Sequence, residues 1–175
     1  MTGSFALSLD SNANIASVFS SYPLIRSRST NLRLVGGVDY RSFRDEIDAT
    51  SSMSRRDATV GMVGLTGDHR DQLLGGGWTT FSLMLSIGDL SIKAPAVEAI
   101  DRVTAHTSGA YGKLAFELAR DQAIAGPLSL YGQFRGQLAS KNLDSSEKMG
   151  LGGAYGVRAY PQGEAYGDEG YILTL

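Results

Sequence analysis

The sequence contains no cysteine. That absence excludes a disulfide framework and a thiolate zinc site, and it fits a protein of the cell envelope. Proline is scarce at 4 residues, and the 22 glycines follow no Gly-X-Y period, which excludes collagen and a proline-rich linker. Neither sign of charge dominates: 16 Lys and Arg against 18 Asp and Glu give a net −2. A nucleic-acid partner needs a basic footprint that is missing here. No run of about 18 apolar residues occurs, so no transmembrane helix is expected. A transmembrane β-strand escapes that test, because it needs only about 10 residues with every second one apolar. The start, Met1 to Leu7, lacks a basic n-region and an apolar h-region and does not read as a secretory signal. The end, Tyr171 to Leu175, stops inside a strand pattern. The chain therefore reads as an excised piece of something larger. It also lacks a Gly-x-Ser-x-Gly elbow, a phosphate loop and a dinucleotide fingerprint, so no catalytic residue and no cofactor is expected.

What is present is alternation. From Leu128 to Ser140, the residues Leu128, Leu130, Gly132, Phe134, Gly136 and Leu138 point one way. Ser129, Tyr131, Gln133, Arg135 and Gln137 point the other. The same rhythm sets Leu32, Leu34, Val38 and Tyr40 against Arg33, Asp39 and Arg41. It sets Phe81, Leu83, Leu85 and Ile87 against Thr80, Ser82 and Ser86, and Leu114, Phe116 and Leu118 against Lys113 and Glu117. Asn14 to Tyr22 and Ala58 to Asp68 are weaker strands, and a seventh begins around Gly170. The fold class is all-β, an antiparallel meander of about seven strands. One row of each strand is oily, and the other carries charges and amides.

The connectors alternate in length. Pro23 to Ser29, Arg70 to Gly77 and Asp121 to Pro127 are short. Asp45 to Asp57, Leu90 to Gly109 and Lys141 to Glu169 are long. Short turns at one end and long loops at the other are the asymmetry of an outer-membrane barrel. Within Leu90 to Gly109, Pro95 suits a first helical turn, with Val97, Ile100 and Val103 on one side. The last connector is glycine- and aromatic-rich and holds a single arginine, Arg158, in its middle. Such a loop is expected to fold back into a barrel.

Three stretches carry a resemblance. They are Ser129 to Phe134 with Lys141 to Gly153 and Tyr155 to Tyr171, then Tyr22 to Ser27, then Gly67 to Asp71. Together they resemble the haemolysin secretion/activation proteins (TpsB, of ShlB/FhaC/HecB type), the outer-membrane transporters of two-partner secretion. The resemblance implies a sixteen-stranded barrel of the bacterial outer membrane, preceded by two periplasmic POTRA domains. It also implies export of a large unfolded partner, a TpsA-type exoprotein such as a haemolysin or adhesin, with outer-membrane lipid around the wall. By this mapping residues 1–175 are a partial barrel domain, without the POTRA domains and the first and last strands. The sixth extracellular loop of that family enters the lumen with a Val-Arg-Gly-Tyr-like tip, to which Val157, Arg158, Ala159 and Tyr160 are similar. Ala159 departs from the usual glycine, which tolerates positive φ where alanine does not. The arginine's acidic partner is expected beyond Leu175.

Arg158 is thus the principal candidate, since a guanidinium forks onto a carboxylate and fixes a loop. Gly156, Gly163, Asp168, Gly170 and Tyr171 are expected to support the loop, and Tyr155 and Tyr160 to brace it. Arg33, Asp39, Arg41, Lys113, Glu117 and Arg135 are expected to face the lumen, as a mixed-charge wall that an unfolded chain slides past. Asp168 and Glu169 read as the rim where the loop rejoins its strand rather than as a catalytic pair. His69, beside a short turn, and His106, in a long loop, lie at opposite ends and make no shared metal site. The residues by themselves leave three readings open: a secretion pore, a barrel enzyme, and a soluble β-sandwich whose polar faces meet water.

Overall fold

A computed structural model describes residues 9–47, 52–153, 161, 163 and 165–175. In chain order the elements are β1 (Leu9–Arg26), β2 (Thr30–Ile47), β3 (Ser52–Asp71), β4 (Gly77–Ile92), helix α1 (Pro95–Val103), β5 (Gly109–Ala125) and β6 (Leu128–Ala139). A two-residue ribbon, β7 (Met149–Gly150) with β8 (Tyr166–Gly167), precedes β9 (Gly170–Thr174). Seven strands form one antiparallel meander in the order β1-β2-β3-β4-β5-β6-β9.

The pairing register turns the alternation of single strands into rows across the sheet. Leu34, Leu65, Leu83, Phe116, Gly136 and Tyr171 stand side by side on six successive strands. The next row holds Gly36, Val63, Leu85, Leu114 and Leu138. On the opposite face Pro23, Arg33, Thr66, Ser82, Glu117, Arg135 and Ile172 form a row, as do Ser17, Asp39, Val60, Gly88 and Tyr111. A slip of one residue would invert both faces, so the oily rows specify the register.

The two faces differ in what covers them. Among the described residues no second layer lies on the oily face: Val38 is 54% exposed and Ile87 64%. The buried apolar residues, including Ala58, Val60, Leu90, Tyr111 and Ile172, lie on the other face, where Leu143 of the last long loop packs with Val60 and Tyr111. A soluble sandwich buries its oily rows and wets its polar ones. This sheet leaves its oily rows bare and seats a loop on part of its polar face, which is not the arrangement of a sandwich. We call the two sides the bare face and the covered face. The bare apolar stretch of β2, Leu32 to Tyr40, runs roughly 26 Å along the strand. At a tilt of about 40° it spans about 20 Å, close to the ~25 Å apolar band of a membrane barrel. No helix among the described residues is long and apolar enough to cross a membrane.

One connector differs from the expected pattern. Asp45 to Asp57 is for the most part strand, since β2 and β3 stay paired out to Ile47↔Ser52. Alternation marks a strand only where its two faces meet different media, and this hairpin runs past the oily rows. At the other end the turns are tight. Pro23 sits in β1 beside a register shift before Ile25; β1 is an edge of this sheet, and an edge tolerates a missing donor. Gly75, the last residue of a single 3-10 turn, and Gly76 after it adopt φ of +102° and +101°, a backbone that glycine takes without strain. Helix α1 starts with Pro95 in its first turn. Ile100 and Val103 face outward, so its apolar side is uncovered.

Candidate functional site

The site is the root of the long loop between β6 and β9, seated on the covered face. The loop leaves β6 tied to the helical connector: Lys141 Nζ donates to the Ser108 carbonyl at 2.6 Å, and Asn142 Nδ2 to the Ala105 carbonyl at 2.8 Å. The chain then turns back over the sheet. Leu143, 1% exposed, packs with Val60 and Tyr111, and Ala139 lies against that cluster. Asp144 organises the turn. Its Oδ1 accepts from the Ser146 N–H and hydroxyl, and its carbonyl accepts from the Glu147 N–H. Its Oδ2 accepts from Arg56 Nη1 of β3 at 2.6 Å. The local sequence Asp-Ser-Ser-Glu makes a turn because short polar side chains bond their own backbone.

That turn delivers Glu147. Its Oε1 accepts from Arg41 Nη1 of β2 and its Oε2 from Lys113 Nζ of β5, each at 2.5 Å. Arg41 Nη2 donates to Asp39 Oδ2 at 2.7 Å. Two carboxylates and two cations therefore close a neutral quartet. Side-chain exposure is 4% for Glu147, 17% for Lys113 and 20% for Arg41. Bonds to an ionised group in so screened a place are stronger than surface pairs, but they must first offset the cost of drying the charges. The quartet therefore specifies where the loop sits more than it stabilises the sheet. β2 and β5 are three strand steps apart, about 14 Å, and one carboxylate spans them.

The returning limb closes the seat. Gln137 Nε2 of β6 donates to the carbonyls of Glu147, at 3.1 Å, and Asp168, at 2.9 Å. Asp168 Oδ1 accepts from the Leu143 N–H at 2.7 Å, and Lys148 Nζ pairs with the same carboxylate at 3.3 Å. Glu169 Oε1 accepts from the Ala139 N–H at 3.0 Å. Beside the seat, Asp101 of α1 accepts from Thr107 N, Thr107 Oγ1 and Ser108 N. Burial opposes its charge, but these hydrogen bonds win and hold its carboxyl below the ordinary 3.8.

The structure places the expected residues as follows. Arg33, Asp39, Arg41, Lys113, Glu117 and Arg135 share the covered face. Only Asp39, Arg41 and Lys113 come together. Glu117 accepts from Gln133 Nε2 at 2.8 Å, and the buried Arg135 Nε has no hydrogen-bond partner among the described residues. Gly163 has φ of +91°, and Gly170 opens β9 opposite Gln137. Tyr155, Gly156, Val157, Arg158, Ala159 and Tyr160 lie outside the described residues. Alternation in β9 turns Tyr171 to the bare face, 73% exposed, where its ring meets Phe134 at 6.0 Å, on the side of the sheet away from the loop seat. His69 Nδ1 bonds the Thr30 hydroxyl at 2.8 Å near the short turns, while His106 follows α1.

Sequence reasoning assigned no role to Glu147, Asp144, Arg56, Leu143 or Tyr111. A signal was available in the loop. Leu143 is a large apolar residue in a polar stretch, followed by two acids, Asp144 at once and Glu147 four residues on, which is the pattern of a peg secured by ion pairs.

A comparison with protein families matches residues 2–174 to "Haemolysin secretion/activation protein ShlB/FhaC/HecB". Among curated proteins, the chain is similar to the heme/hemopexin transporter protein HuxB of Haemophilus influenzae. It is 27% identical over 152 residues to that of strain 86-028NP and 26% identical over 152 residues to that of strain Rd. Each match covers 87% of this chain and 26% of the relative, so the chain spans about a quarter of the length of the curated relatives it matches. No solved structure gives a significant match.

Proposed function

We propose, from the premise that the chain belongs to the haemolysin secretion/activation protein family ShlB/FhaC/HecB, that it forms part of the wall of an outer-membrane pore. That family is one of secretion and transport proteins, not of enzymes. On this reading residues 1–175 are a partial barrel domain within a sixteen-stranded cylinder. The bare face meets outer-membrane lipid, and the covered face lines a wet lumen. The cargo is a partner exoprotein of TpsA type, a haemolysin or adhesin, which crosses unfolded without nucleotide hydrolysis.

The observation that carries the reading is the inversion of the sheet: oily rows left bare on one side, an ion-bound loop seated on the other. Lipid supplies the missing cover for the oily rows. The lumen supplies the water that the exposed Arg33 and Glu117 require. The Glu147 quartet holds the root of the loop, and on this reading the same loop carries the tip motif Val157, Arg158, Ala159 and Tyr160, with Gly156 and Gly163 assigned to its support. Arg158 is assigned the role of docking that tip on an acidic residue of the wall beyond Leu175.

The test is export. The complete parent gene is expressed with its partner in a Gram-negative host that lacks both, with and without Arg158→Ala, and the partner is measured in the medium. Secretion by the parent and its loss in the variant, at equal barrel level, are expected. No secretion by the parent would refute the pore, and unchanged secretion by the variant would remove Arg158 from the mechanism.

A further inference from the structure

The covered face is not polar throughout. Between the Glu147 quartet and the tier of Arg33, Glu117 and Arg135 lie Phe19, Val35, Met62 and Met84. They line a shallow cavity of about 370 Å³ together with Ser21 and Thr66. Two glycines let these side chains lie down along the wall. A Cβ on Gly37 would meet the Phe19 ring at 2.6 Å, and one on Gly64 would meet the Met84 sulfur at 2.8 Å. The loop root covers Val60, Tyr111 and Ala139 through Leu143 and leaves this patch open, with Phe19 63% exposed.

We infer that this patch is a station for the polypeptide in transit, which takes up apolar and aromatic side chains of an extended segment. The inference rests on the reading above, that an unfolded partner passes along this face. Three features select that occupant. The cavity has room for a side chain or two, not for a folded element. Val35 and Met84 stand one same-face step, roughly 6.6–7 Å, from the tier of Arg33 and Glu117, which is also the two-residue repeat of an extended chain, and Phe19 and Met62 stand one step further along. A passing segment therefore sets an apolar side chain on Met84 while a polar one, two residues along, meets Arg33 or Glu117, and a second apolar one on the other side reaches Met62 and Phe19. Methionine is unbranched and polarizable, and it adapts to apolar partners of differing shape. An exposed Phe19 and half-buried Met62 and Met84 also cost free energy in a wet lumen. Serine serves the neighbouring positions Ser82 and Ser86, so the barrel alone has no need of the patch.

The experiment uses the complete parent with its partner, the partner being stalled by a fused, stably folded domain. A photo-crosslinking amino acid replaces Met62 or Met84, with Leu85 on the opposite face as control. Adducts with the partner are expected at 62 and 84 and not at 85. Met62→Ser with Met84→Ser is expected to slow export several-fold in barrels that keep their heat-modifiable mobility, and Met62→Leu with Met84→Leu to restore it. Adducts only to the chain's own loop, or only to lipid, overturn the station, and so does wild-type export by the serine pair. Export without partner adducts at 62 and 84 defeats the station and leaves the pore standing; absence of export by the unmodified parent defeats both.

Discussion

Replacing Glu147 by glutamine tests the loop seat directly. The change keeps the side chain's shape and one carbonyl acceptor, but it removes the charge shared by Arg41 and Lys113 and sets an amide N–H₂ against a cation. Both ionic hydrogen bonds are 2.5 Å long and the carboxylate is 4% exposed. Bonds to charged groups contribute about 1.5–3 kcal/mol each, and breaking a buried pair costs about 3–5 kcal/mol because the orphaned charge stays dry. Some water reaches both cations, so the lower end, about 3 kcal/mol, is expected. At ~1.4 kcal/mol per factor of ten, the opening equilibrium of the loop root shifts about a hundredfold. The sheet ladder is untouched, so the loss is local. Hydrogen exchange by mass spectrometry on the complete parent in detergent reads it. Peptides covering 141–151 should lose protection while β3 and β4 keep theirs. Glu117→Gln, at an exposed carboxylate with one amide partner, should change exchange little. Lys113→Met should cost less in the Glu147→Gln background than alone, since the two share one interaction. Exchange at 141–151 unchanged within about twofold, or a loss spread evenly over the sheet, would refute the argument.

Other outcomes follow from single positions. Leu85→Arg puts a cation in the middle of the bare face and should cost about 2–4 kcal/mol on insertion, read as lost barrel assembly in lipid vesicles; normal assembly would deny that lipid covers this row. The lowered pKa of Asp101 means that its contribution is present above the unfolded value of about 3.9 and disappears as pH falls through the folded value. Amide protection at Thr107 and Ser108 should therefore drop below about pH 4, and Asp101→Ala should already be unprotected at neutral pH. Gly136→Ala would bring a Cβ to 2.5 Å from the Phe116 ring and 2.7 Å from the Gly170 carbonyl. That overpacking should cost about 1–3 kcal/mol and loosen the β6–β9 pairing, seen as faster exchange of Gly170 to Thr174.

Alternation made the wall legible because its two sides meet different media. Every face assigned from Leu32 to Tyr40, Phe81 to Ile87, Leu114 to Leu118 and Leu128 to Leu138 agrees with the pairing register. The hairpin of β2 and β3 beyond Asp45 carried no such contrast and read as loop. The seat was less legible for another reason. The ions on the wall were visible as a class, but which of them meet depends on a turn 106 residues away from Arg41, and no local period encodes that distance. Tyr171 shows the limit of grouping by proximity in sequence: it neighbours Gly170 and Asp168, yet a strand sends consecutive side chains to opposite sides.

The span of Glu147 between β2 and β5 sets an order of assembly. The contact with Lys113 closes a separation of 34 residues and that with Arg41 one of 106, whereas each hairpin closes on neighbouring strands. Local pairings have less chain entropy to overcome and form sooner. The loop therefore docks last, after four consecutive strands have fixed the positions of both cations. The double contact is therefore a condition on the whole wall: a sheet with a strand missing or slipped between β2 and β5 offers the carboxylate only one of its two partners.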